Sequence, residues 1–242
     1  MSEADARMRG KRALRVLISA GATREPIDPV RFLSNYSTGY MGARLAAEAL
    51  RRGHRVRVIS GPSVELLPAG AQVVPVVEAR EMEQALRRAA GRADVIIMTA
   101  AVSDFRPARA ATKKLRRRAS LMLRLEATPD IIARLPRRKK RQLVVGFALE
   151  SDRVAPRAAV KLRAKRLDLV VAQRVRPRSA LRPERSRRTQ RANGTGAPFG
   201  RHPVEAWLVG RETVTSLGRR SKAAVARVLL DKIEALWYGD PR

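Results

Sequence analysis

The feature that most constrains the fold is a regular exchange between short apolar runs and amphipathic segments. "LRVLISAG" (14–21), "HRVRVISGP" (54–62), "VVPVV" (73–77), "ADVIIMTAAVSDF" (93–105), "QLVVGFALE" (142–150) and "LDLVVAQ" (167–173) each carry a run of strand length, rich in Val, Ile and Leu. The intervening stretches 41–53, 79–91 and 154–166 read as helices; in the first, Leu45, Ala46, Ala49 and Leu50 share one face and Gly53 follows as a stop. Strands that alternate with helices of ~10–15 residues predict βαβ units and a parallel sheet. Strands without a polar side agree, because parallel sheets are covered on both faces. Near the end, "VEAWLVGRETVTSLG" reads as a hairpin turning at Gly210, and 221–237 reads as an amphipathic closing helix. The expected fold class is therefore α/β, doubly wound and mainly parallel, with helices on both faces and a small C-terminal hairpin.

Two segments break this rhythm. Residues 106–135 begin as a basic loop, contain one alternating piece, "LMLRLEA", and end in a short predicted helix capped by Thr128 with Pro129 at its first position. Residues 174–202 show no periodicity and hold eight Arg between 174 and 191, which predicts a mobile loop. One domain over 14–238 is expected, behind a disordered tail at 1–13, with 106–127 as a flap.

Composition narrows the function. A chain of 242 residues can bury a real core, and no apolar run approaches the ~18 residues of a membrane span. The N-terminal "MSEADARMRGKR" lacks the apolar centre of a signal peptide, so a cytoplasmic protein is expected. Without cysteine there is no disulfide, thiol nucleophile or Cys-based metal site. The formal charge of +30 invites a nucleic-acid reading, but 43 of the 52 basic residues are Arg spread along the whole length. Such uniform enrichment reads as compositional bias, with nucleic-acid affinity only incidental. His54 and His202 are the two histidines, too few and too scattered for a Ser-His-Asp triad or a His-metal cluster. Chemistry that rests on positioning and charge stabilisation fits better, as in nucleotidyl transfer.

In an open parallel sheet, ligands bind beyond the carboxyl ends of the strands. After the first strand come "GATREP" and "SNYSTGYMG", the latter directly before a helix. Gly39 and Gly42 would let backbone pass close to a ligand there, while Ser37 and Thr38 add hydroxyl donors and the helix N-terminus adds N–H groups. A loop capped by Ser and Gly for purely structural reasons explains the same residues. The stretch is neither a Walker loop nor G-x-G-x-x-G. Asp104 follows the fourth strand, suited to a nucleotide sugar, a metal ion or a turn cap. Lys113 and Lys114 stand out in an Arg-dominated chain, because a compact ammonium on a flexible loop can reach a phosphate. Lys161 and Lys165 are four residues apart and share a helix face. "RRKKR" (137–141) reads as solvated surface.

Taken in order, "SAGATREPIDPVRFLSNYSTGYMG", "AAVSDFRP", "KKL", "TPDII", "VVGFALE" and "KLRAKRLDLVVA" resemble the phosphopantothenoylcysteine synthetase family. The likeness runs from about residue 14 to 172 and more loosely to the C-terminal helix. It implies a Rossmann-like homodimer that joins 4'-phosphopantothenate to cysteine in coenzyme A biosynthesis. The pantothenoyl carboxylate attacks the α-phosphate of CTP (ATP in eukaryotic members) to give an acyl nucleotidylate and pyrophosphate; cysteine then displaces the nucleotide, and Mg²⁺ is required. The resemblance implies that Asn35 engages the carboxylate, and that Gly21, Ser37, Gly39 and Gly42 cradle phosphate. It places Ala101, Asp104, the turn Thr128, Pro129, Asp130 and Ile131, Phe147, Lys161 and Lys165 against the nucleotide, with Lys114 on a flap covering the site. No flavin is expected here; a separate flavin-dependent decarboxylase would act beside this chain.

The sequence departs from the family at Tyr40, at Gln173-Arg174, at Phe199-Gly200 and in its arginine-laden 174–191 stretch. A Rossmann oxidoreductase would need a G-x-G-x-x-G turn that "GATREP" does not supply. The rival of another class is a degenerate synthetase acting as a basic nucleic-acid-associated protein.

Overall fold

The structure, a computed structural model, describes residues 11–136, 142–175 and 199–239. Most of the expected N-terminal tail, the 137–141 basic run and residues 176–198 of the arginine-rich segment lie outside the described residues. In chain order the elements are β1 (Arg15–Ala20), β2 (Arg24–Pro26), β3 (Phe32–Ser34), α1 (Tyr40–Arg51), β4 (Arg55–Ser60), β5 (Gln72–Pro75), α2 (Ala79–Ala90), β6 (Val95–Met98), β7 (Phe105–Pro107) and β8 (Leu125–Ala127). There follow α3 (Ile131–Arg134), β9 (Leu143–Glu150), α4 (Val154–Ala164), β10 (Leu169–Arg174), β11 (Val204–Gly210), β12 (Val214–Arg220) and α5 (Lys222–Tyr238).

Eight strands form one sheet in the order β12-β11-β10-β9-β6-β1-β4-β5. From β5 to β10 every pairing is parallel, and β11 and β12 add the antiparallel hairpin. Side chains alternate across the pleat, so one face of β1 presents Val16 and Ile18 while the other presents Leu17. The first face packs on Leu45 and Ala49 of α1 and Leu229 and Ile233 of α5. The second packs on Met82 and Leu86 of α2 and Ala158 and Leu162 of α4. Both faces are thus covered, as the all-apolar strands require. No helix among the described residues is long and apolar enough to cross a membrane.

The irregular segments contain more structure than the sequence announces. β2 and β3 pair as a small hairpin inside the loop after β1, and β7 and β8 pair at the base of the flap. The alternating piece 121–127 contributes only Leu125–Ala127 as strand, because β7 offers three residues to pair with. The flap is fastened to the β2–β3 turn: Leu115 N donates to Asp28 Oδ2 at 3.0 Å, and Arg31 donates to Leu115 O at 2.7 Å.

His54 serves the fold. Leu14 N donates to its Nδ1 at 3.4 Å, and its Nε2 lies 3.2 Å from Glu234 of α5. The buried Arg52 reaches Glu48 at 2.8 Å, Asp231 at 2.8 Å and Glu234 at 3.3 Å, tying α1 to α5. Asp94 anchors the start of β1 in the same manner. Its buried carboxylate accepts from Arg15 N at 2.9 Å and from the guanidinium groups of Arg12 and Arg15 at 3.1 and 2.9 Å.

Burial alone would push the Asp94 carboxyl up, yet hydrogen bonds from Arg15 and Arg12 outweigh it and hold it well below the usual carboxylate range. A depressed folded-state value means stability present at neutral pH and lost as pH falls. Because both arginines are half-exposed, Asp94→Ala is expected to lower unfolding stability by about 2–4 kcal/mol in urea titrations near pH 7. The gap to the parent protein should shrink as pH falls below about 4. An unchanged gap at low pH would show that Asp94 acts through packing instead.

Candidate functional site

The chain runs from β1 to β4 and β5 on one side, then returns to β6 on the other side of β1. This reversal opens a crevice at the carboxyl ends of β1 and β6, where doubly wound sheets take their ligands. Backbone bonds stitch the crevice floor: Ala101 N donates to Gly21 O at 2.9 Å, and Thr23 N to Ala101 O at 3.3 Å. Asn35 Nδ2 donates to Ala101 O at 3.2 Å, which holds an exposed amide at the rim. The resulting cavity measures about 460 Å³, a size suited to a small organic ligand.

The stretch 35–42 lines one wall and delivers the first turn of α1 to the cavity. Gly39 is the N-cap of α1 at φ 82°, left-handed backbone that favours glycine, and a Cβ there would lie 2.2 Å from Ser63 Oγ. A Cβ on Gly42 would lie 2.5 Å from the Cβ of Ala20, so this glycine lets α1 seat directly on β1. The sequence reading left these glycines open between ligand clearance and a structural cap; both make close protein approaches that a side chain would block.

The opposite wall comes from α3, α4 and β9. Lys161 Nζ donates to Phe147 O at 2.7 Å, while burial and then neighbouring Lys165 pull the Lys161 ammonium below its usual value. Lys165, at the C-terminal end of α4 where a cation suits the helix dipole, pairs with Asp130 at 3.1 Å. Burial would raise the Asp130 carboxyl, but Lys165 and the amide of Ala133 hold it below the ordinary range. The predicted cap is corrected here. Asp130, not Thr128, caps the helix by accepting from Ala133 N, and Pro129 therefore precedes the helix. Thr128 instead donates its hydroxyl to Ser103 O at 2.5 Å, which fastens the turn beneath Asp104.

Most of the candidate residues meet in this one cavity: Asn35, Ser37, Gly39, Gly42, Ala101 and Asp104 from one side, and Thr128 to Ile131, Phe147, Lys161 and Lys165 from the other. Two do not line it. Gly21, at φ 78°, has Gly61 O 2.6 Å from where its Cβ would be, so it serves the crossing of β1 and β4 ends. Lys114 lines a separate concavity with Arg31 and Arg116 to Arg118. The sequence reading missed Lys222, which lines the cavity and is 4% exposed. The contrast that singled out Lys113 and Lys114, a lysine in an arginine-rich chain, applies equally to it.

The sequence profile of the DNA/pantothenate metabolism flavoprotein C-terminal domain matches residues 11–236. The chain is 43% identical over 180 residues to the coenzyme A biosynthesis bifunctional protein CoaBC of Bacillus subtilis, covering 74% of this chain and 44% of that protein. It is 45% identical over 161 residues to a cysteine/cysteine sulfinic acid decarboxylase of an unknown prokaryotic organism, covering 65% of this chain and 45% of that protein. The chain thus spans less than half the length of these relatives. Among solved structures, the C-terminal domain of a coenzyme A biosynthesis bifunctional protein CoaBC superposes with a TM-score of 0.73 at 33% identity, covering 94% of this chain and 97% of that one.

If Gly42 serves the seating of α1, Gly42→Ala should lower the stability of the ligand-free protein by about 1–3 kcal/mol, because α1 must lift from β1. Thermal unfolding without any ligand checks this. An unchanged melting temperature would return the glycine to a ligand-clearance role.

Proposed function

The chain belongs to the DNA/pantothenate metabolism flavoprotein C-terminal domain family, and on that premise we propose that it is a ligase joining 4'-phosphopantothenate to cysteine at the expense of a nucleoside triphosphate. The observation that carries this reading is the convergence of Asn35, the α1 N-terminus, Asp104, Lys161 and Lys165 on one cavity at the sheet's switch point. In this reading it is a site for a polyanion beside an amide donor; no histidine lines it, and of its two carboxylates Asp130 is paired with Lys165 and caps α3. Positioning and charge stabilisation are what nucleotidyl transfer demands.

In the first step a pantothenoyl carboxylate oxygen bonds to the α-phosphorus, and the bridging bond to the β-phosphate breaks with its electron pair leaving on pyrophosphate. In this reading the first-turn amides of α1 face that charge, while Lys161 and Lys165 hold the nucleotide at its α-phosphate. In the second step the cysteine amine attacks the acyl carbon, and the nucleoside monophosphate leaves with the pair from the carbon–oxygen bond. The ammonium of the new amide loses its proton to solvent. Asn35 Nδ2, already aimed by its bond to Ala101 O, donates to the carboxylate and then to the carbonyl oxygen as charge grows there.

Among the described residues no group of three or more His, Cys, Asp or Glu would cage a metal. Asp104, which lines the cavity, would hold Mg²⁺ together with the nucleotide phosphates, and the ion would supply charge neutralisation there. Phe147 and the buried Gln173 line the cavity and in this reading would take the base, with CTP as the expected nucleotide and ATP as the competitor. The reading includes a cytoplasmic homodimer, for which the exposed Val30, Phe32 and Phe105 offer an apolar surface. The product's cysteine carboxylate is the group a flavin-dependent decarboxylase would remove next.

Purified protein given phosphopantothenate, cysteine and CTP or ATP should release pyrophosphate and form the amide. Release of CO₂ from cysteine or its sulfinic acid without pyrophosphate would favour decarboxylation instead. Asn35→Ala should still release pyrophosphate while amide formation falls about 10²–10³-fold. Normal amide formation in that variant would remove Asn35 from the mechanism.

A further inference from the structure

Lys222 has no part in the reactions above, and its placement is costly for a lysine. It is the first residue of α5, directly after the N-cap Ser221, whose hydroxyl accepts from Ala224 N at 3.2 Å. A cation in a helix's first turn opposes the dipole, and lysine is seldom this deeply buried. Yet Lys222 is 4% exposed and lines the cavity. Burial pushes its ammonium down to about 8, with Glu65 pulling the other way.

Its surroundings collect more positive charge. The Lys222 ammonium lies 6.0 Å from the centre of the Tyr40 ring, and Tyr40 is the first residue of α1. Arg44 stands over the same ring at 5.1 Å and Arg201 at 5.7 Å. Arg201 also pairs with Glu65 at 3.3 Å, which pins that side of the corner. Lys222 and the first turn of α1 therefore share one corner of the cavity, and Arg44 and Arg201, outside its lining, add charge around the Tyr40 ring, whose face attracts cations. This corner is reached from the α1 and α5 side of the sheet, whereas Lys161 and Lys165 enter from the α4 side.

We propose that Lys222 and the α1 first-turn amides bind the β- and γ-phosphates of the nucleotide and hold the departing pyrophosphate, with Tyr40 positioning the lysine and Arg201 adding charge from beyond the cavity lining. The proposal rests on the ligase reading and assigns its leaving group a separate seat. When the bond between the α-phosphorus and the bridging oxygen breaks, the electron pair stays on pyrophosphate. Lys222 then meets the new charge by hydrogen bonding, with no proton transferred.

The test is calorimetric binding of CTP, CMP and inorganic pyrophosphate to the full chain and its variants. Lys222→Met should weaken CTP and pyrophosphate by about tenfold or more while leaving CMP within about twofold. Arg201→Ala, at an exposed position where folding is not at issue, should weaken pyrophosphate by about threefold. Unchanged CTP and pyrophosphate binding by Lys222→Met overturns the assignment and leaves the ligase reading standing. Equal losses for CMP and CTP overturn it too, because the lysine would then support the cavity as a whole. A parent protein that binds neither nucleotide nor pyrophosphate removes the ligase reading, and this proposal with it.

Discussion

The seating of α1 on β1 at Gly42 and Ala20 fixes the position of the whole cavity. With no side chain on Gly42, the helix approaches until the missing Cβ would lie 2.5 Å from that of Ala20. The first turn of α1 then ends level with the carboxyl ends of β1 and β6, and its amides face the crevice. Gly39 turns the chain into the helix with left-handed backbone, and Gly21 lets the ends of β1 and β4 cross. Arg52 and His54, tied to Glu234 of α5, lock the far end of α1. A methyl group at the seating point would be transmitted along a rigid rod fixed at both ends, because packed interiors have little free volume to absorb it.

The same framework divides the cations by type. Arg52 is buried among Glu48, Asp231 and Glu234, where its planar fork meets carboxylates and its charge is retained. Lys161 is half-buried and Lys222 buried where they line the cavity, and desolvation lowers both ammonium groups. A compact ammonium gives up charge more readily than a guanidinium and regains it beside a phosphate. In a chain with 43 Arg against 9 Lys, the described cavity lining carries Lys161, Lys165 and Lys222 and no arginine.

The order of layers was legible because parallel strands buried on both faces leave an unbroken apolar signature, as in "VLISA" and "VIIM". The short pairs β2–β3 and β7–β8 were not, since three-residue strands carry no readable period. Thr128 looked like a cap because Pro129 follows it, yet its hydroxyl donates to Ser103 O, and one carboxylate oxygen of Asp130 accepts from Ala133 N while the other meets Lys165. Asp104 was indicated by its place after a strand end, whereas Asn35, Lys161 and Lys165 took their roles from the resemblance to a known family; all four line the cavity. Lys222 was not found, because nothing in a local window says that the first turn of α5 abuts the first turn of α1. That contact exists only once the sheet has brought both helices to one face.

Having cations on both sides of the sheet edge bears directly on a two-step reaction. An acyl nucleotidylate must stay bound while pyrophosphate departs and an amine arrives. One shared cluster of charge would bind intermediate and leaving group alike, and weakening it for release would loosen both. Lys161 and Lys165 come from α4 on one face, and Lys222 and the α1 amides come from the other. Under the proposed ligase reading, pyrophosphate would leave the Tyr40 corner while the nucleotide moiety stayed against Phe147 and the 128–131 turn. Tyr40 is the ring about which that corner is built.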